Sequence, residues 1–208
     1  GSFVGDLIVI IYLFALPPIG VIIGGSASRN PLASVGASRE MTQYFGYELP
    51  FLFALASIIL KAGGKIRLGE IILVQNASGP LLYSISGIIA AIVLLLSIQA
   101  KLSFAPFDIP EAEQEIMCGP YIEYSGVLLA IFKITKAMML FLLPLFMISV
   151  LWGGFGNWWA IPKFLLLFVL IILIKNTNPR LRIDQSLKFF WGGLGILSVI
   201  GLIFALFG

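Results

Sequence analysis

The stretch Asp108-Ile109-Pro110-Glu111-Ala112-Glu113-Gln114-Glu115-Ile116-Met117-Cys118-Gly119-Pro120-Tyr121-Ile122-Glu123 carries five carboxylates, half of the ten acidic residues in the chain. It lies between two long apolar runs. An ionisable group at the edge of lipid is costly unless it is used, paired or hydrated. Crowded carboxylates at low dielectric compete for protons and titrate as a coupled set, which suits them to accept and pass protons. The plainer alternative stays open. Pro110 fits the first position of a helix, and acidic side chains there stabilise its N-terminus. In such a helix Glu111 and Glu115 share a face and Glu113 points elsewhere.

A second set of charges falls inside apolar runs. Glu48 precedes Pro50 in Gly46-Tyr47-Glu48-Leu49-Pro50, and Lys133 and Lys136 stand three apart in Phe132-Lys133-Ile134-Thr135-Lys136. That spacing puts both lysines on one helix face. Lys133 is near enough to a helix end to snorkel, whereas Lys136 lies ~15 Å along the helix from Gly126. A Glu48–Lys136 pair or water-linked chain is therefore expected to act as a proton relay. A third set, Pro179-Arg180-Leu181-Arg182-Ile183-Asp184-Gln185, reads either as a solvated basic anchor or as a network. In the network Arg180 and Arg182 hold carboxylates of the acidic segment.

The elements that position these groups are membrane helices. The chain of 208 residues is 60% hydrophobic and 11% charged, with a mean hydropathy of +1.06. Soluble domains carry about 25% charged residues. Six apolar runs of roughly spanning length occur, at 7–25, 43–60, 81–100, 126–151, 161–174 and 187–207. They are apolar on both faces, which speaks against a barrel. The expected fold is all-α: a single polytopic bundle over 1–208 with six transmembrane helices. Its loops at 26–42, 101–125 and 175–187 share one side. Arg29, Arg39, Lys101, Lys175, Arg180, Arg182 and Lys188 also fall there, against Lys61, Lys65, Arg67 and Lys163 opposite. The positive-inside rule makes the first side cytoplasmic. Trp152, Trp158 and Trp159 then fit an outer aromatic belt.

With no His and one Cys, the chain is expected to hold no haem, iron–sulfur or zinc centre of its own. Its +3 net charge, placed in membrane-proximal loops, suits an anionic lipid surface rather than nucleic acid. No phosphate loop and no nucleophile with a base is recognisable.

Pro106-Phe107-Asp108-Ile109-Pro110-Glu111-Ala112-Glu113-Gln114-Glu115, followed by Glu123-Tyr124-Ser125-Gly126, closely resembles the H subunit of bacterial respiratory complex I, its first core membrane subunit. The resemblance extends to Gly36-Ala37-Ser38-Arg39, Gln43, Tyr47-Glu48-Leu49-Pro50 and Pro179 to Gln185. That family has eight spans, so the first two and their loop look absent. Departures cluster near the family's quinone chamber. Leu128 stands where an Arg is usual, Lys136 where a Glu is usual, and Phe104 and Ala105 replace a basic residue before the Pro-Phe-Asp run. In this the chain looks more like the M subunit of archaeal energy-converting membrane-bound nickel–iron hydrogenases, with the membrane-bound sulfane-sulfur reductase as a near alternative.

The resemblance implies a coupling subunit, itself without a redox centre. It would tie a cytoplasmic arm of large, small and iron–sulfur subunits to antiporter-like membrane subunits in the cell membrane. Partner subunits would hold the iron–sulfur clusters and the nickel–iron site, and electrons would come from ferredoxin. Glu48, Asp108, Glu111, Glu113, Glu115, Glu123, Lys133 and Lys136 would form the relay, supported by Arg39, Arg180, Arg182 and Asp184. A secondary transporter is the competitor of a different class. It should show internal repeats with paired broken helices, and the acidic run occurs once.

Overall fold

The computed structural model describes residues 5–154, 156 and 158–207, the side chains of 113 and 114 excepted. Among them every regular element is helical. Backbone polar groups in hydrocarbon must be satisfied within the segment, and a helix does this. The elements are α1 (Asp6–Ala27), α2 (Pro31–Lys61), α3 (Leu68–Ser78), α4 (Ile85–Lys101), α5 (Glu113–Ile116), α6 (Gly126–Leu151), α7 (Ala160–Thr177), α8 (Ile183–Lys188) and α9 (Gly195–Phe207). α8 continues through a π-helical stretch, Phe189–Leu194, into α9. Five helices are long and apolar enough to cross a membrane: α1, α2, α6, α7 and the Ile183–Phe207 rod. On the expected third run lies α4, a shorter apolar helix of 17 residues.

The long helix α2 is the centre of the bundle and packs against α1, α4 and α9. Its Tyr47, Phe51, Leu55 and Ile58 join Leu94 and Ile98 of α4 and Phe190 of the π-helical stretch in one core. α2 begins twelve residues before the apolar run that announced it. Asn30 caps it by accepting from the Leu32 N–H at 2.9 Å, and Pro31 takes the first turn. So 26–42 is not a loop. Only Ser28 to Asn30 connects α1 to α2, and Arg39 and Glu40 lie on the helix.

The acidic segment also differs from its expected form. No helix starts at Pro110; the segment holds only α5, from Glu113, and a 3-10 turn, Gly119–Tyr121. Ile109, Ala112 and Ile116 are buried and draw the segment against the bundle, so burial rather than helical phasing sets its path. The return turn depends on glycine. Gly119 has φ +51°, and a Cβ there would lie 2.0 Å from the Pro110 carbonyl oxygen. Gly36 of α2 admits the same turn, since a Cβ there would meet Pro120 Cδ at 2.6 Å.

Candidate functional site

Three successive carbonyls anchor the acidic segment to three different elements. Gln99 Nε2 of α4 donates to Ala105 O at 2.9 Å, the Leu181 N–H donates to Pro106 O at 3.0 Å, and Gln43 Nε2 of α2 donates to Phe107 O at 2.7 Å. The carboxylates beyond this anchor part company. Asp108 accepts a two-point contact from Arg180, 2.8 Å from Nε and 2.5 Å from Nη2. Glu115 pairs with Arg39 at 2.5 Å, and Glu123 accepts from Asn30 Nδ2 at 2.5 Å. Glu111 turns inward, and both its oxygens accept from Lys136 Nζ at 2.7 and 2.8 Å.

Among the described residues, Asp108, Glu111, Glu115 and Glu123 thus each have a different partner, and Glu111 and Glu115 share no helix face. With Pro110 to Ala112 outside any helix, Asp108, Glu111 and Glu115 each reach a different cation, and Glu123 reaches the Asn30 amide. The Glu113 side chain lies outside the described residues. Arg182 and Asp184 line a shallow cavity with Arg180 and Glu115. Among the described residues Arg182, Asp184 and Lys133 form no ion pair.

The expected Glu48–Lys136 pair is also replaced. Glu48 accepts from Lys101 Nζ at 2.5 Å, with the Lys101 side chain wholly buried. The ammonium sits 4.4 Å from the Phe51 ring centroid and 5.2 Å from that of Tyr47. Lys101, read from sequence as a loop cation, is the last residue of α4 and is directed into the bundle. Lys136 is taken up by Glu111.

Between the two pairs lies Glu40, a buried carboxyl that the sequence reading missed. The Ser103 hydroxyl donates to it at 3.4 Å, and the Ser103 carbonyl accepts from Lys136 at 3.4 Å. A cavity of about 40 Å³ has Glu40, Lys101, Ser103, Glu111 and Lys136 in its wall. That is room for about one to a few waters at a polar site. Glu111, Lys136, Ser103, Glu40, Lys101 and Glu48 thus form a polar line running in from the acidic end, half-buried at Glu111 and Lys136 and buried at Ser103, Glu40 and Lys101. The signal for Glu40 was available in its spacing. Glu40, Gln43 and Tyr47 recur at three and four residues, one face of a helix, once the helix is allowed to start at Pro31.

Tyr121 lines the same small cavity beside Glu111. Burial, then the nearby charges of Glu111 and Glu40, push its phenol well above its usual range, so it stays neutral. Among the described residues no group of three His, Cys, Asp or Glu side chains is placed to hold a metal ion. The chemistry on offer is electrostatic and protonic. Unit charges ~4 Å apart interact by about 4 kcal/mol at an effective dielectric near 20, so a protonation change at one member is felt by the next.

Residues 2–206 match the sequence family described as NADH dehydrogenase. The chain is 30% identical over 207 residues to the H subunit of the NADH-quinone oxidoreductase of Geobacillus thermodenitrificans (strain NG80-2), covering 95% of this chain and 61% of that protein. It is 31% identical over 207 residues to the corresponding H subunit of Dehalococcoides mccartyi (strain CBDB1), covering 95% of this chain and 57% of that one. The chain thus spans about three fifths of the length of these curated relatives. In three dimensions it is similar to a chain of the membrane-bound sulfane sulfur reductase, an archaeal respiratory membrane complex. The TM-score is 0.89 with 29% identity, covering 96% of this chain and 69% of that one.

Proposed function

From the premise that the chain belongs to the NADH dehydrogenase family, we propose that it is the membrane-anchor and coupling subunit of an ion-translocating respiratory complex. The acidic end, with Asp108–Arg180 and Glu115–Arg39, would face a cytoplasmic electron-transfer arm. The buried line from Glu111 to Glu48 would pass the electrostatic consequence of electron transfer to antiporter-like membrane subunits. The observation that carries the reading is that line: a half-buried ion pair, a buried carboxyl and a second pair whose ammonium is wholly buried, in a bundle where uncompensated charge is costly. The redox centres would belong to partners, and the membrane would be the cell membrane with the acidic end inside.

The finer reading is a ferredoxin-dependent nickel–iron hydrogenase. The departures Leu128, Phe104 and Ala105 support a chamber with fewer polar groups than a quinone enzyme uses. The likeness to a sulfane sulfur reductase chain favours a second reading, in which the terminal acceptor is a sulfane sulfur compound. Nickel analysis of the co-purified large subunit separates the two.

The coupling role is tested by Glu111→Gln in the whole complex in sealed vesicles. Electron transfer from the donor should persist while ion uptake per electron falls severalfold. Unchanged uptake per electron would remove the relay and leave an anchor.

A further inference from the structure

At the end of the bundle away from the acidic segment, two cavities share a wall. One, about 530 Å³, is bordered by Gln75 and Asn76 of α3, Pro80, Trp152, Gly154 and Lys163 of α7. The other, about 170 Å³, runs between α4, α6 and α7 and is bordered by Leu82, Leu95, Met147, Trp152, Leu167 and Leu170. Trp152 belongs to both. No charged residue borders the second cavity, and no carboxylate borders the first. Leu167 and Leu170 lie ~10–15 Å along α7 from Ala160, so the groove reaches well into the hydrocarbon. A polar compartment at the helix ends thus opens onto an apolar groove, which is the layout of an amphiphile.

The polar compartment is held in shape by buried contacts. Gln75, itself buried, accepts from the Gly153 N–H at 2.6 Å. Its Nε2 donates to the carbonyls of Ser149 and Val150 at 3.2 and 2.9 Å, in the last turn of α6 where the helix supplies no donor. The turn that carries Trp152 is therefore fixed to α3. Lys163 Nζ donates to Trp152 O at 2.8 Å and lies 5.4 Å from the centroid of the Trp152 ring. That uses one of the three ammonium donors. Among the described residues Lys163 forms no ion pair. Trp158 and Trp159, 89% and 72% exposed, put this end of the bundle at the lipid–water interface. A lysine at that level would be an ordinary snorkelling side chain were it not for the groove behind it.

We propose that this is a lipid site, in which the phosphodiester of a phospholipid binds Lys163 and one acyl chain enters the groove between α4, α6 and α7. The lining also selects the headgroup. One cation answers the single charge of a phosphodiester, and no carboxylate is present to receive the ammonium of a zwitterionic lipid, so an anionic phospholipid is favoured. The site is independent of the coupling reading, since neither cavity borders Glu111, Lys136, Glu40, Lys101 or Glu48.

The test uses the purified whole complex in detergent, with phosphatidylglycerol or phosphatidylcholine carrying a diazirine on one acyl chain. After photolysis, mass spectrometry reads adducts on the peptides that contain 91–95 and 167–170. Phosphatidylglycerol should label them about fivefold more than phosphatidylcholine, the factor equivalent to the ~1 kcal/mol expected of one lysine at a membrane surface. Lys163→Gln keeps a donor for Trp152 O but removes the charge, and should bring phosphatidylglycerol down to the phosphatidylcholine level. Lys163→Arg should keep the preference. Ala91→Phe fills the groove from α4 and should abolish labelling by both lipids. Lys65→Gln, an exposed cation at the same end but outside both cavities, should change nothing.

Equal labelling by the two lipids in the unaltered chain, or a preference that survives Lys163→Gln, overturns the headgroup site. Labelling that Ala91→Phe leaves intact overturns the groove. Adducts found on a neighbouring subunit and not on these peptides would mean that a protein helix covers this face, and would overturn the proposal as well.

Discussion

Replacing Glu48 by Gln leaves the Lys101 ammonium buried without its counter-charge. The Lys101 side chain is fully buried, the Glu48 side chain is 14% exposed, and their charged atoms lie 2.5 Å apart. Removing one partner of such a pair costs about 3–5 kcal/mol, most of it the penalty for the stranded charge. The rings of Phe51 and Tyr47 hold the ammonium in both forms, so their attraction does not alter the difference. Glu48→Gln should therefore lower the thermal resistance of the complex in detergent as well as its coupling. The double variant Glu48→Leu with Lys101→Met separates these effects. An apolar replacement of a buried pair is often neutral within about 1–2 kcal/mol, so stability should return. Ion uptake per electron in vesicles should not, because two members of the line are gone. Full recovery of both stability and uptake in the double variant would make the pair a packing element and take it out of the relay.

Three further outcomes are expected. Gln99→Leu removes the donor shared by the carbonyls of Ala105 and Ile171, at 2.9 and 3.3 Å, and should cost about 1–3 kcal/mol for a buried acceptor left unpaired, read by thermal dissociation in detergent. Gly36→Ala places a methyl 2.6 Å from Pro120 Cδ and 2.8 Å from Gly119 Cα; it should cost about 1–3 kcal/mol by overpacking and raise proteolytic nicking between Met117 and Glu123. Arg39→Ala breaks a pair whose Glu115 side chain is 55% exposed and should change stability by less than about 1 kcal/mol. Arg180→Ala loses two hydrogen bonds to a more sheltered Asp108 and should weaken retention of the cytoplasmic partner more, read by co-purification.

The class of the protein and the ends of most spans were legible in the order of residues. Apolar runs of spanning length admit little but helices in lipid, and that constraint needs no knowledge of neighbours. The importance of the carboxylates at 108–123 was legible too, since five charges beside lipid demand partners. That Arg180 or Arg182 could hold a carboxylate of this segment followed from opposite charge, whereas the choice of Arg180 and Asp108 did not.

Which charge meets which became readable only once the helices were packed. Lys101 looked like a loop cation because it stands at the end of an apolar run. Only the packing of α4 on α2 brings its ammonium to Glu48. Glu40 looked like part of a polar loop because the apolar run begins at Gln43. The Asn30 cap and Pro31 start α2 early and carry Glu40 into the interior. Tyr121 gave no signal at all, because a tyrosine in a Gly-Pro turn reaches the cavity beside Glu40 only when the turn docks on Gly36. Hydropathy reports transfer out of water residue by residue, whereas ion pairing depends on distances between elements far apart in the chain, and those are fixed only when the helices pack.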